Sequence, residues 1–115
     1  MIKVYGIKNC DTVKKALKWL TENNIAHQLH DYRNDGLPAD FLSQAAEVFG
    51  WEALVNKRST TWRNLDQAVK NNLDFVTALQ VLTEQPTLIK RPIILQDGIA
   101  LIGFNEEEYA KSLLP

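Results

Sequence analysis

YGIKNCDTVKKALKWL, residues 5–20, is the stretch that decides the fold. Its first part continues an alternating apolar pattern that runs from Ile2 to Ile7 and reads as a short strand. After Cys10 the period changes. Val13, Ala16, Leu17 and Leu20 recur at the spacing of one buried helical face, with Lys14, Lys15 and Lys18 outside it. The helix is expected from Thr12 to the Asn23-Asn24 pair, and His27 to Tyr32 reads as a second strand before the turn residues Asn34, Asp35 and Gly36. A strand, a helix and a strand within this length make a right-handed βαβ unit, which requires parallel strands.

Beyond that unit, Pro38 suits the first position of a helix whose stripe is Phe41, Leu42, Ala45, Ala46 and Phe49, ended by Gly50. Leu54 to Asn64 is polar and basic and reads as a loop. Two short helices are expected next, Leu65–Lys70 and Phe75–Thr83, the second with Val76, Leu79 and Leu82 inward and stopped by Pro86. Ile93, Ile94 and Leu95 are joined to Ile99–Ile102 through Gln96-Asp97-Gly98, and Asp-Gly is a hairpin turn signal. Asn105 reads as an N-cap with Glu108 as its capping-box partner, opening a last helix with Tyr109, Leu113 and Leu114 inward. The chain therefore reads as one α/β domain, residues 1–115, with a mixed sheet and a helical segment at about 38–86 inserted between its second and third strands.

The totals narrow the class of function. The 115 residues carry 13 Lys+Arg against 14 Asp+Glu, a formal net charge of −1, which argues against nucleic acid as a partner and against a polybasic membrane patch. No apolar run reaches the roughly 20 residues that span a bilayer. The opening IKVYGI reads as a strand and not as a signal peptide. With one cysteine in the chain, this predicts a cytoplasmic protein without an internal disulfide.

That cysteine, Cys10, follows a strand and opens a helix, where free backbone amides and the helix dipole stabilise a thiolate. Its neighbours Asn9 and Asp11 are polar, and Lys8 and Lys14 add positive potential. A buried, inert thiol is the competing reading. Arg91-Pro92 stands just before the third strand; Lys90 and Arg91 either donate to a bound anion or are solvated strand-entry charges. Lys57, Arg58 and Arg63, with Ser59, Thr60, Thr61 and Trp62, suit an oxyanion or carboxylate, or form a polar loop anchored by its tryptophan. His27 and His30 face opposite sides of a strand and make a poor metal pair, so no metal site is expected. No Ser/His/Asp order, glycine-rich dinucleotide loop or Walker loop is present.

Three stretches together, the strand–Cys10–helix, NKRSTTWRNL (56–65) and LIKRPIILQDGIALIGFNEEE (88–108), resemble the arsenate reductase (ArsC)/Spx family, most of all its YffB-type single-domain members. The resemblance spans nearly the whole chain. It implies a thioredoxin-like (glutaredoxin-like) fold, Cys10 as nucleophile, and Pro92 as a cis-proline preceded by Arg91. It also implies glutathione as co-substrate, with no bound cofactor and with glutathione or a glutaredoxin-type thiol as partner. Arg91, Pro92, Arg58 and Lys8 are then the expected substrate- or glutathione-binding residues.

Two departures from the family's patterns shape the expected activity. An active-site arginine of the arsenate reductases falls on Asn56, with Arg58 two positions later, and their last one falls where this chain has Gly103-Phe104-Asn105. Loss of two cations, at about 1.5–3 kcal/mol per charge-assisted bond, weighs against arsenate as substrate. The redox-sensing Spx proteins resemble a CxxC, whereas Cys10-Asp11-Thr12-Val13 has no second thiol. The expectation is a glutathione-dependent thiol reductase. A Spx-like, non-enzymatic partner of the RNA polymerase α-subunit and a genuine arsenate reductase are the alternatives.

Overall fold

The computed structural model describes residues 1–115, and the chain divides into two compact units, Met1–Gly36 with Arg91–Pro115, and Leu37–Lys90. The first unit holds a mixed sheet of β1 (Ile2–Gly6), β2 (His27–Asp31), β3 (Ile93–Gln96) and β4 (Ile99–Ile102) in the order β2-β1-β3-β4. β1 pairs in parallel with β2 from Ile2 opposite His27 to Gly6 opposite Asp31. On its other side β1 meets β3 antiparallel at Tyr5 and Ile93.

Helix α1 (Asp11–Glu22) connects the parallel pair. It buries Val13, Ala16 and Leu20 and exposes its three lysines, as the spacing dictates. It stops where Asn24 takes φ 56, a left-handed conformation asparagine tolerates, and Ile25 N–H returns to the Leu20 carbonyl at 2.9 Å. The β3–β4 turn places Asp97 at φ 45 and Gly98 at φ 81, the signature of a type I′ hairpin. Helix α7 (Glu106–Leu113) lays Tyr109 into a core with Val4, Ala16, Leu20, Ile94 and Leu101. Trp19 and Phe104 meet the Tyr109 ring edge-on, at 5.6 and 4.9 Å between centroids.

The second unit contains α2 (Phe41–Phe49), α3 (Trp51–Leu54), α4 (Thr60–Arg63), α5 (Gln67–Asn71) and α6 (Phe75–Glu84), then a 3-10 turn, Pro86–Leu88. α2 packs on α3 and α6, and α6 on the 3-10 turn. A single antiparallel bridge pairs Val55, just after α3, with Ile89, just after the 3-10 turn.

Several boundaries differ from the sequence reading, each for a local reason. Pro38 does not open α2: Asp40 at φ 66 intervenes, and the helix starts at Phe41. The polar segment read as a loop contains α4, because Ser59 Oγ caps it by accepting the Trp62 amide, and its first residue, Leu54, is the last of α3. The next helix runs from Gln67 to Asn71, later than expected, with Asp66 before it. In α6 the buried residues are Ala78 and Leu82, while Val76 is 62% exposed, because the Asp74/Thr77 capping box sets where the helix begins and hence which face is inward. Leu114 lies past the end of α7 and is exposed. Asn105 does accept the Glu108 amide as N-cap, at 3.1 Å.

Candidate active site

β1 ends at Gly6, the chain turns through Ile7 to Asn9, and Cys10 enters α1 as its N-cap residue with extended backbone, φ −132 and ψ 125. Its carbonyl accepts the Lys14 amide at 2.9 Å, while its side chain closes no capping hydrogen bond as a neutral thiol. Cys10 is part-exposed and lies outside the buried core. Burial alone pushes the thiol up. The Val13 amide, the Arg91 guanidinium through a hydrogen bond and its charge, and the Thr12 amide outweigh that, and hold Cys10 below the ordinary thiol value. The thiolate is thus favoured at a part-exposed position.

Arg91 arrives from the far end of the sequence because β3 lies beside β1. The Arg91–Pro92 peptide is cis, Pro92 is fully buried, and its carbonyl accepts the Gly103 amide at 2.8 Å. Gly6 makes this convergence possible. A Cβ at Gly6 would stand 2.9 Å from Cγ2 of Val13 and 3.8 Å from Cβ of Arg91, so helix and arginine close over a strand end that has no side chain. Tyr32 is buried nearby. Desolvation holds its phenol well above the ordinary range despite the opposing positive charge of Arg91, so it remains neutral.

A further residue fastens the cysteine loop from below. Asp31, the last residue of β2, is buried, with 6% of its surface exposed. Its Oδ2 accepts the Lys8 amide at 2.9 Å, and its Oδ1 accepts the amides of Arg33 at 2.7 Å and Asn34 at 3.3 Å. Burial opposes ionisation here too, but the Lys8, Arg33 and Asn34 amides and the charge of Arg33 prevail, and the carboxyl lies below its ordinary value. Asp31 carries a sequence signal for this role: an aspartate between an alternating strand and a turn is the usual setting for a side chain that caps backbone amides.

Of the expected site residues, Cys10, Arg91 and Pro92 are brought together in the first unit. Lys8 lies in the cysteine loop with its side chain exposed, and its contact of note is through the backbone. Arg58 belongs to the second unit and is exposed; its amide donates to Asn56 Oδ1 at 3.1 Å. Asn56 is occupied with that turn, since its carbonyl also accepts the Ser59 hydroxyl at 2.7 Å. Trp62 anchors the same stretch, with the Lys57 and Lys70 ammonium groups 5.5 and 5.4 Å from its ring. His27 and His30 each bond a backbone carbonyl, of Ile25 and of Gly36, both at 2.8 Å. No group of three or more His, Cys, Asp or Glu side chains is placed to hold a metal ion, and no helix is long and apolar enough to cross a membrane.

Comparison with known families gives this arrangement a context. The ArsC family model matches residues 5–112. The chain belongs to the ArsC family. An uncharacterized protein of Haemophilus influenzae is 76% identical over 109 residues, covering 95% of this chain and 96% of its own. A solved structure described as YFFB superposes with a TM-score of 0.93 at 40% identity, covering 98% of this chain and 99% of that one. The global transcriptional regulator Spx of Streptococcus agalactiae is 30% identical over 117 residues, covering 100% of this chain and 84% of its own. The ArsC family assignment and the thioredoxin-like α/β fold expected from the sequence are thus both met. Within that fold the cysteine after β1 and the cis-proline before β3 are adjacent because β1 and β3 are neighbouring strands.

Proposed function

We propose that this ArsC-family protein is a cytoplasmic, glutathione-dependent thiol–disulfide oxidoreductase with Cys10 as its sole nucleophile. The observation that carries the reading is a part-exposed Cys10 whose thiol is held below the ordinary value by the first-turn amides of α1 and by Arg91. The Cys10 thiolate attacks the glutathionyl sulfur of a mixed disulfide R–S–S–G. A Cys10–glutathione disulfide forms, and R–S⁻ leaves to take a proton from solvent. A second glutathione thiolate then attacks the glutathionyl sulfur of that adduct, releasing Cys10 as thiolate and glutathione disulfide as product. The incoming glutathione thiol is the reductant: it goes from thiol to disulfide as R–S goes from disulfide to thiol, and the glutathionyl sulfur carried by Cys10 remains at the disulfide level throughout.

Arg91 has five N–H donors, so it can meet the sulfur and still bind a glutathione carboxylate. Lys8 adds charge at the rim, and the backbone on the Arg91 side of Pro92 pairs with the peptide part of glutathione; the Pro92 carbonyl is engaged by Gly103. Alkylation of Cys10 as a function of pH, with mass spectrometry of the adduct formed by glutathione disulfide, tests the reading. A thiol that titrates at or above about 8.5, with no glutathione adduct, would end it.

The similarity to Spx favours a second reading, a non-enzymatic module that binds the RNA polymerase α-subunit. Co-purification with that subunit, by a Cys10→Ser variant as efficiently as by the wild type, would establish it against the first. Arsenate reduction is the third reading. It is opposed by Asn56, whose carbonyl and side-chain oxygen serve its own turn, and a coupled arsenate assay with glutathione and glutaredoxin decides it.

A further inference from the structure

Asp31 is the one charged residue buried in this chain, and no step of the proposed chemistry touches it. Such burial is costly unless the carboxylate is well bonded, and here the partners are all backbone amides. Two of them, Arg33 and Asn34, belong to the turn that follows β2 and close a local loop. The third, Lys8, belongs to a different segment, the turn between β1 and α1 that ends in Cys10. The Tyr32 amide makes a second tie between the same two segments, donating to the Gly6 carbonyl at 2.8 Å. The cysteine loop is thus pinned at Gly6 by backbone alone and at Lys8 by the Asp31 carboxylate, two residues before the sulfur.

We propose that Asp31 is a positioning residue for the nucleophile: by holding the Lys8 amide it fixes the turn that aims the Cys10 sulfur at Arg91 and at the first-turn amides of α1. The inference rests on the reading of Cys10 as a reactive thiolate. It makes a prediction opposite in sign to an electrostatic role. A carboxylate acting by charge would disfavour a nearby thiolate, so neutralising it would lower the Cys10 pKa. A carboxylate acting by position does the reverse, because without the tether the sulfur loses its donors.

Asp31→Asn is the direct test, since it keeps the shape and one carbonyl oxygen while setting an N–H group against one of the former donors. The Cys10 pKa is read from the pH profile of iodoacetamide alkylation, with circular dichroism and thermal melting run in parallel. The expected result is a rise of about one unit, a roughly tenfold loss of alkylation rate at neutral pH, with rates converging at high pH where both thiols are ionised. A folded Asp31→Asn with an unchanged or lowered Cys10 pKa overturns the proposal while leaving the nucleophile reading intact. A wild-type pKa at the ordinary thiol value overturns both. If Asp31→Asn does not fold, the wild type supplies the test by NMR. The Lys8 amide proton should shift as the Asp31 carboxyl titrates below the usual carboxylate range, and the Cys10 Cβ resonance should move with it. A Cys10 resonance blind to that titration overturns the proposal.

Discussion

Gly6 and Val13 stand so close that no side chain fits between the end of β1 and the first turn of α1. A methyl group on Gly6 would lie 2.9 Å from a buried Val13 methyl. That contact sets the height of the helix mouth above the sheet, and therefore where Cys10 sits relative to Arg91. Gly6→Ala is expected to destabilise the fold by about 1–3 kcal/mol through overpacking, and to raise the Cys10 pKa as α1 is lifted. Urea denaturation measures the first effect and alkylation kinetics the second. Wild-type stability in Gly6→Ala would show that the first turn yields freely.

Arg91 supplies both a hydrogen bond and a charge to the sulfur. Arg91→Met keeps much of the stem and removes both. The alkylation rate of Cys10 near neutral pH should fall by about tenfold, for a shift of about one unit, and recover fully at high pH. Arg91→Lys should recover part of the charge effect but not the forked hydrogen-bond geometry. A uniform loss of rate at every pH would point to blocked access instead of a changed pKa.

Asp31 also links stability to pH. Its folded-state pKa lies below the ordinary carboxyl value, so in the window between them the unfolded chain binds more protons than the folded one. The stabilisation is therefore complete above the unfolded pKa and is lost as pH falls through the folded one. Wild-type unfolding free energy should decline across that acidic window more steeply than that of Asp31→Asn. Cys10 follows the same rule at the alkaline end: its lowered pKa makes the wild type gain stability, relative to Cys10→Ser, as pH rises from the folded thiol pKa to the ordinary one. Denaturation at a series of pH values checks both slopes.

Tyr109 donates its hydroxyl proton to the Gly103 carbonyl at 2.7 Å, and Gly103 donates its amide to the Pro92 carbonyl. Tyr109→Phe leaves that carbonyl without its phenol partner in a part-buried setting, at a cost of about 1 kcal/mol by thermal or urea unfolding. Because the same glycine braces Pro92, a smaller second effect on Cys10 alkylation is expected. Loss of stability without any change at Cys10 would show that the brace ends at β4.

The parts legible in the sequence were those with local physical causes. The α1 stripe of Val13, Ala16 and Leu20 could face only one way, and Asp97-Gly98 could make only a tight turn. Cys10 before that stripe identified the helix mouth. The second unit was read less well. Its helices are short, and their ends are set by single capping groups such as Ser59 and Asp74, whose use depends on which way the chain has already turned. Apolarity alone points Val76 inward, but the cap at Asp74 fixes the phase of α6 so that Ala78 and Leu82 face the core and Val76 faces solvent.

What the sequence determined by itself was the βαβ entry, the hairpin and the place of the thiol, because each rests on contacts between residues near in the chain. The pairing of Cys10 with Arg91, the closeness that only Gly6 permits and the capture of the Lys8 amide by Asp31 were decided by tertiary structure alone. Arg91 and Asp31 are distant in sequence from the cysteine loop and reach it because β1 lies between β2 and β3, so the strand order of the sheet adds a cation and a tether to the local amides of α1.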